Sequence, residues 1–480
     1  MNIGARVLHT PWVLPAHRYE LAVPAGERRV LAHAWLALAT AALVGSGLFA
    51  LLLVGARTPG LNALLPGVDF FHVALVVHVD LSVLVWFLAM AGLLWTLAGS
   101  EAWLALGWFG FTLAAIGAAV MTLAPFAGAA APVMSNYVPV LDDWRFLFGL
   151  ALFGAGLAAV TLRALAVPGR VGVALPGGGV LRFGLNAAAV STALALVALV
   201  WSALALRQSA AAGLHGKPYF ELLFWGPGHV VQFTWTLLML VSWLWLATRI
   251  EAPLPLSPRV VLLLFGVALV SVFATPLIYL AFEVGSVEQQ RLFTWLMRFG
   301  GGLAIVPIVL ALVVALWRAA PCPPQARALR ASLLASMALF CVGGGIGFLI
   351  QGSDVRVPAH YHGTIVGVTL ALMGVTYALL PALGLARPGR LAVWQPLLYG
   401  AGQLMHIVGL VWSGGYGVQR KVAGADQVLR TPQEVVGMGL MGLGGLIAIV
   451  GGLLFVVVVL QSVRGARRSR LPPAAGSEAA

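Results

Sequence analysis

Long apolar stretches alternate with short polar ones along the whole chain, and the apolar stretches are of similar length. Twelve of them run near 30–56, 70–98, 102–126, 145–168, 183–206, 219–247, 259–283, 292–317, 329–351, 358–385, 393–414 and 436–463. Each matches the ~20 apolar residues that a helix needs to cross a bilayer core. The pattern predicts an all-α polytopic membrane protein, a twelve-span helical bundle. Three parts follow: a cytoplasmic N-terminal arm at 1–29, a membrane domain at 30–464 and a basic, disordered tail at 465–480.

Composition agrees with the pattern. Of 480 residues, 61% are hydrophobic and 9% charged, and the mean hydropathy is +0.98. That balance excludes a soluble domain of this size. The arm holds Arg6, Arg18, Arg28 and Arg29 among Pro11, Pro15 and Pro24, with no signal-peptide core. The first span is therefore expected to be retained. Placing both termini in the cytoplasm puts 18 of the 28 Lys and Arg on that side, as the positive-inside rule favours. The net charge of +13 thus sets membrane orientation, and nothing points to nucleic acid. Cys322 and Cys341 fit neither a disulfide framework nor a zinc site. Gly177–Gly179 reads as a linker in a basic loop, and the turn-rich stretch from Asn136 and Tyr137 to Trp144 reads as a lid or docking surface.

Polar residues inside the spans carry the chemistry, because an ionisable group in the membrane needs a partner or a function. In the second span His78 lies roughly 12 Å below the outer end, at 1.5 Å per residue. Asp80 sits about 200° round the helix from it and is placed to face a proton-accessible cavity. In the sixth span Trp225-Gly226-Pro227-Gly228 precedes His229, which lies at a similar depth. Pro227 removes a backbone hydrogen bond, and the flanking glycines leave room for something bulky beside the helix. The tenth span opens on His360-Tyr361-His362. These two histidines point about 200° apart, so one helix can serve two planar cofactors. A buried imidazole with a free ring nitrogen is an axial haem ligand, and coincident depth on separate helices suits a buried metallocofactor site. The bland alternative is a set of core histidines bonded to their neighbours. His406, mid-way along the eleventh span, reads as one of those.

These residues resemble the catalytic subunit, subunit I, of the haem-copper oxidase superfamily, which also includes the nitric oxide reductases. The resemblance rests on His78, on Trp225 to His229, on His360-Tyr361-His362 running towards Pro381, and on Gly417-Val418-Gln419-Arg420-Lys421. It implies two haems: a low-spin haem on His78 and His362, and a high-spin haem on His360. Arg420 and Lys421 would bind propionates, and His229 would hold a distal copper or non-haem iron. It further implies a respiratory oxidoreductase of a bacterial inner membrane. Such a protein reduces O2 or NO with electrons from a cytochrome c, a quinol or a donor subunit.

One part of the family pattern is missing. Phe293-Thr294 resembles the step that opens the eighth span, and counting back from it puts Ile278 and Tyr279 where the family has two metal-binding histidines. Glu283 stands nearby as an oxygen donor or as a helix end near water. Tyr279, or Tyr219, is a candidate donor of a proton or electron. The nitric oxide reductases' glutamate is replaced by Phe233, after Gln232. Two rival expectations follow: a haem protein that lost its distal metal and serves electron transfer, gas sensing or an accessory role, and a solute transporter built from two halves.

Overall fold

The computed structural model describes residues 17–61, 68–208, 213–422 and 427–468. Arg6, His9, Pro11 and Pro15 of the arm, and the tail beyond Arg468, lie outside the described residues.

The helices follow in order: α1 (Glu27–Arg57), α2 (Val68–Val79), α3 (Trp86–Ala98), α4 (Leu104–Leu123), α5 (Trp144–Ala166), α6 (Gly177–Gln208), α7 (Gly216–Arg249) and α8 (Pro258–Val272). Then come α9 (Ala274–Ala281), α10 (Val287–Gly300), α11 (Gly302–Arg318), α12 (Arg327–Gly347), α13 (Arg356–Ala382), α14 (Leu391–Gly415) and α15 (Pro432–Arg468). A π-helical turn, Asp80–Val85, joins α2 to α3 into one rod. α8 continues as α9, and α10 as α11, so the described residues form twelve spans. Eleven are long and apolar enough to cross a membrane. The other, α14, is long enough at 25 residues but less apolar, because it carries Gln395, Gln403 and His406 in its buried face.

Starts and stops have local causes. Asp143 caps α5 by accepting from Arg145 N at 2.9 Å, and Ser286 caps α10 by accepting from Gln289 N at 3.2 Å. Ser257 caps α8, where Pro258 takes the first helical position. Between α4 and α5, β1 (Pro132–Val133) pairs antiparallel with β2 (Val140–Leu141). This short hairpin marks one end of the bundle, called the hairpin end below.

Three spans form the centre. In Phe70–Ala98, Gly216–Arg249 and Arg356–Ala382, 67%, 78% and 83% of the most apolar window is buried, against 33–44% elsewhere. These are the rods that carry His78, His229 and the His360–His362 pair. Neighbouring spans reach them through glycine seams, the close-packing device of membrane helices. A Cβ on Gly343 of α12 would lie 2.5 Å from Thr364 N and 2.7 Å from Gly363 Cα of α13. Gly402, Gly409 and Gly444 close the α14–α15 seam in the same way.

One sequence expectation changes. Gly177–Gly179 is the first turn of α6 and not a linker. Its bare backbone lies against the carbonyls of Arg18 and Glu20: a side chain at Gly177 would collide with the first and one at Gly178 with the second. The arm is also partly embedded: Tyr19 is fully buried, its N–H donates to Thr248 Oγ1 at 2.8 Å and its hydroxyl to Leu256 O at 2.8 Å.

The seam makes a testable contrast within one glycine run. Gly343→Ala should lower stability by roughly 1–3 kcal/mol, the usual cost of overpacking. Gly344→Ala, where nothing lies within 4 Å, should cost nothing. Thermal unfolding in detergent checks this, and equal effects at the two positions would refute the seam.

Candidate functional site

Every deep histidine except His362 has its Nδ1 taken by a backbone carbonyl, and the fold supplies each carbonyl from a close neighbour. His78 Nδ1 donates to Ser46 O at 2.9 Å, with Ser46 Oγ at 3.0 Å. His360 Nδ1 donates to Gly343 O at 2.7 Å, across the α12–α13 seam. A side chain at Gly347 would come within 2.8 Å of the same ring. His406 Nδ1 donates to Met441 O at 2.9 Å, across the α14–α15 seam. His229 Nδ1 donates to Trp225 O, one turn back in α7, at 2.6 Å. A carbonyl can only accept, so each bond fixes the Nδ1–H tautomer and leaves Nε2 with its lone pair. That is the arrangement of metal-binding imidazoles.

The histidines separate into two places. His362 lies 4.6 Å, ring centre to ring centre, from His406 and within electrostatic reach of His78. Helices α2, α13 and α14 thus bring three imidazoles together. His360 points the other way, towards α12, and lies within electrostatic reach of Arg298. His406 is both bonded within the bundle, as the sequence suggested, and a neighbour of His362, which the sequence did not suggest.

Around His229 the surroundings are aromatic. Its ring lies 4.9 Å from Trp225 and 6.2 Å from Phe293, centre to centre. Its Nε2 is engaged: Tyr137 donates its hydroxyl there at 2.7 Å. Tyr137 is the inward-pointing residue of the β1–β2 hairpin, and its ring lies where a Cβ on Gly228 would stand. The other bare position, Gly226, holds the hydroxyl end of Tyr279 in the same manner. The Gly-Pro-Gly therefore admits two tyrosines. Tyr279 is buried, donates to or accepts from Ser202 Oγ at 2.8 Å and stacks on Trp201 at 5.3 Å. Phe293 packs against both Tyr279 and His229. Ile278 is buried among the same apolar side chains. Glu283 is exposed beyond the end of α9 and is not gathered to His229. Among the described residues, no three His, Cys, Asp or Glu side chains converge to hold a metal ion.

Asp80 faces a small cavity of about 20 Å³ that Tyr137, Gly228 and Trp235 also line. Asp80 Oδ2 and Trp235 Nε1 are buried there without hydrogen-bond partners. The space suits one water, and the two groups offer it an acceptor and a donor.

Charges gather at the hairpin end. Arg420 donates to Asn136 Oδ1 at 3.2 Å and to Ser353 Oγ at 3.0 Å. Lys421 donates to Met134 O at 2.7 Å. Burial, and next the charge of Arg420, lower the Lys421 pKa to about 8. Glu221 holds Asn136 from the other side through Asn136 N at 3.1 Å and its side-chain amide. Arg57 donates to Gln419 O at 3.3 Å. Most acceptors here are neutral, so the surplus positive charge suits an anion. The same loop is tied to the start of α13: Val355 N donates to Val418 O at 3.1 Å, and Arg356 grips Asp354 through Nε at 3.0 Å and Nη2 at 2.6 Å.

A solved heme-copper terminal oxidase, studied as a dimer, superposes with a TM-score of 0.68. The match covers 92% of this chain and 84% of that one at 16% identity. The fold is that of a haem-copper oxidase. An uncharacterised protein of Rickettsia prowazekii is 28% identical over 497 residues, covering 89% of this chain and 95% of the relative. An uncharacterised protein of Aquifex aeolicus is 29% identical over 352 residues, covering 73% and 84%. No protein-family model matches the chain.

Sequence reading singled out His78, His229, His360 and His362 from their depth, but gave Tyr137 no place beside His229. The available signal was Gly228, a bare position beside a buried histidine.

The Asp354–Arg356 clasp gives a pH test. Burial pushes the Asp354 pKa up, but the hydrogen bonds and charge of Arg356 outweigh it and hold the carboxyl below its ordinary range. Its stabilisation is full above the ordinary value of ~3.9 and is lost as pH falls through the folded value. The unfolding midpoint should fall as pH is lowered from about 5 to about 2, and Asp354→Asn should start lower and fall less. Parallel curves for the two proteins would show that the clasp contributes nothing.

Proposed function

We propose that this protein is a membrane haem oxidoreductase, reducing O2 or NO with electrons received from a cytochrome c, a quinol or a partner subunit. The supporting observation is the state of the imidazoles. Nδ1 of His78 and of His360 is committed to a carbonyl, which leaves Nε2 as the atom free to bind iron. These donors fit haem. His78 and His362 would hold one, from α2 and α13, and His360 would hold the other from the opposite side of α13. Arg420 and Lys421 suit its carboxylates, with Arg57 adding charge nearby.

Haem, when bound, supplies the one-electron chemistry and the open iron position for a diatomic gas. The chain's residues decide which iron does which task. His78 with His362 would give one haem two imidazoles, which would suit it to electron transfer, whereas His360 alone would hold the other and leave it able to take a gas. α13 holds both sites in one rigid element, since His360 and His362 are separated by a single residue in a buried helix. The hairpin, pinned through Asn136, sets Tyr137 against His229.

A second reading, a haem protein for electron transfer or gas sensing, is favoured by the packing of Ile278 and Tyr279 at the two expected histidine positions. Turnover of O2 or NO by the purified protein separates the two.

Reduced-minus-oxidised and carbon monoxide difference spectra test the site. His78→Ala and His362→Ala should each lose the six-coordinate haem bands and keep carbon monoxide binding. His360→Ala should lose carbon monoxide binding. Both signals surviving in all three variants would overturn the assignment. Loss of the six-coordinate bands in His406→Ala but not in His362→Ala would move the ligand to His406.

A further inference from the structure

We infer that Tyr137, and not a third metal, is the partner of His229: the distal group of the site is a Tyr137–His229 hydrogen-bonded pair. This rests on the reading that His360 holds a haem, and it concerns what stands opposite.

A distal copper or iron needs several donors with free lone pairs, and this region does not offer them. Both ring nitrogens of His229 are used, Nδ1 by Trp225 O and Nε2 by the Tyr137 hydroxyl. The positions expected to carry two more histidines hold Ile278, which has no donor atom, and Tyr279, whose hydroxyl is bonded to Ser202. Glu283 is exposed past the helix end. The residues therefore do not fit the metal.

They do fit the pair. Tyr137 reaches His229 because Gly228 has no side chain, so its ring can lie on the backbone of α7. The segment that delivers it is fastened on three sides. Val133 pairs with Val140, and Ser135 bonds Val138 O across the turn. Glu221 and Arg420 hold Asn136, and Lys421 holds Met134 O. A contact between residues 92 apart with this much support is built into the fold.

The pair gives His229 one tautomer and one orientation. Tyr137 donates to Nε2 and Trp225 O accepts from Nδ1, so the ring cannot flip without breaking both bonds. Tyr137 is thus a positioning residue for His229. Tyr137 also lines the cavity that Asp80 and Trp235 border, which sets it beside a buried polar space. The cations that fasten the hairpin are the ones that suit haem carboxylates, so haem binding and placement of Tyr137 draw on the same side chains.

The test is elemental analysis of the wild-type holoprotein, followed by the C–O stretching band of its carbon monoxide adduct. Iron should equal haem, with no stoichiometric copper, zinc or non-haem iron. Tyr137→Phe should keep both haems and shift the band. His229→Phe should also shift it, and the double variant should shift it no further than the larger single change, as coupled residues do. A stoichiometric third metal that His229→Ala removes would overturn the inference, as would additive shifts or an unmoved band in Tyr137→Phe. Absence of haem from the wild type would instead overturn the reading of function. The wild-type metal content needs no variant to fold.

Discussion

A buried imidazole has two ring nitrogens to satisfy, and in an apolar bundle no water is at hand to do it. The fold meets Nδ1 of His78, His360, His406 and His229 from a backbone carbonyl, and for the first three that carbonyl comes from a neighbouring helix that packs close. Gly343 against Gly363 brings α12 near enough for His360 to reach a carbonyl. The α14–α15 glycine seam does the same for His406 and Met441, and α1 presents Ser46 to His78. Close packing, tautomer and the free Nε2 are therefore one constraint. Loosening a seam would disturb a site whose atoms it never touches.

The second nitrogen separates the sites by chemistry. At His78 and His360 it faces no protein partner among the hydrogen bonds of the described residues, and at His229 it meets Tyr137. The difference traces to Gly228 and to a hairpin anchored by Arg420, Lys421 and Glu221. The hairpin end thus joins three tasks: it balances cations, fixes the entrance of α13 through Asp354 and Arg356, and sets the partner of His229.

Much of this was legible in the sequence, for physical reasons. Apolar runs of membrane length give the spans directly, and the depth of His78, His229, His360 and His362 follows from the helical rise. Contacts between distant segments were not legible. Tyr137 lies 92 residues from His229, and a glycine records only that space is needed, not what fills it. Gly177–Gly179 looked like a linker because three glycines suit a loop, yet the embedded arm makes bare backbone necessary at a helix start. The neighbourhood of His362 and His406 depends on how α13 and α14 cross, which no spacing within one helix reveals.

The measurement that tests the central claim most directly is the haem stoichiometry of the purified wild-type chain, read from its pyridine haemochrome against protein mass. Two haems per chain, only one of which binds carbon monoxide, is the expected result. One haem, or none, would contradict the claim that α13 serves two irons through opposite faces.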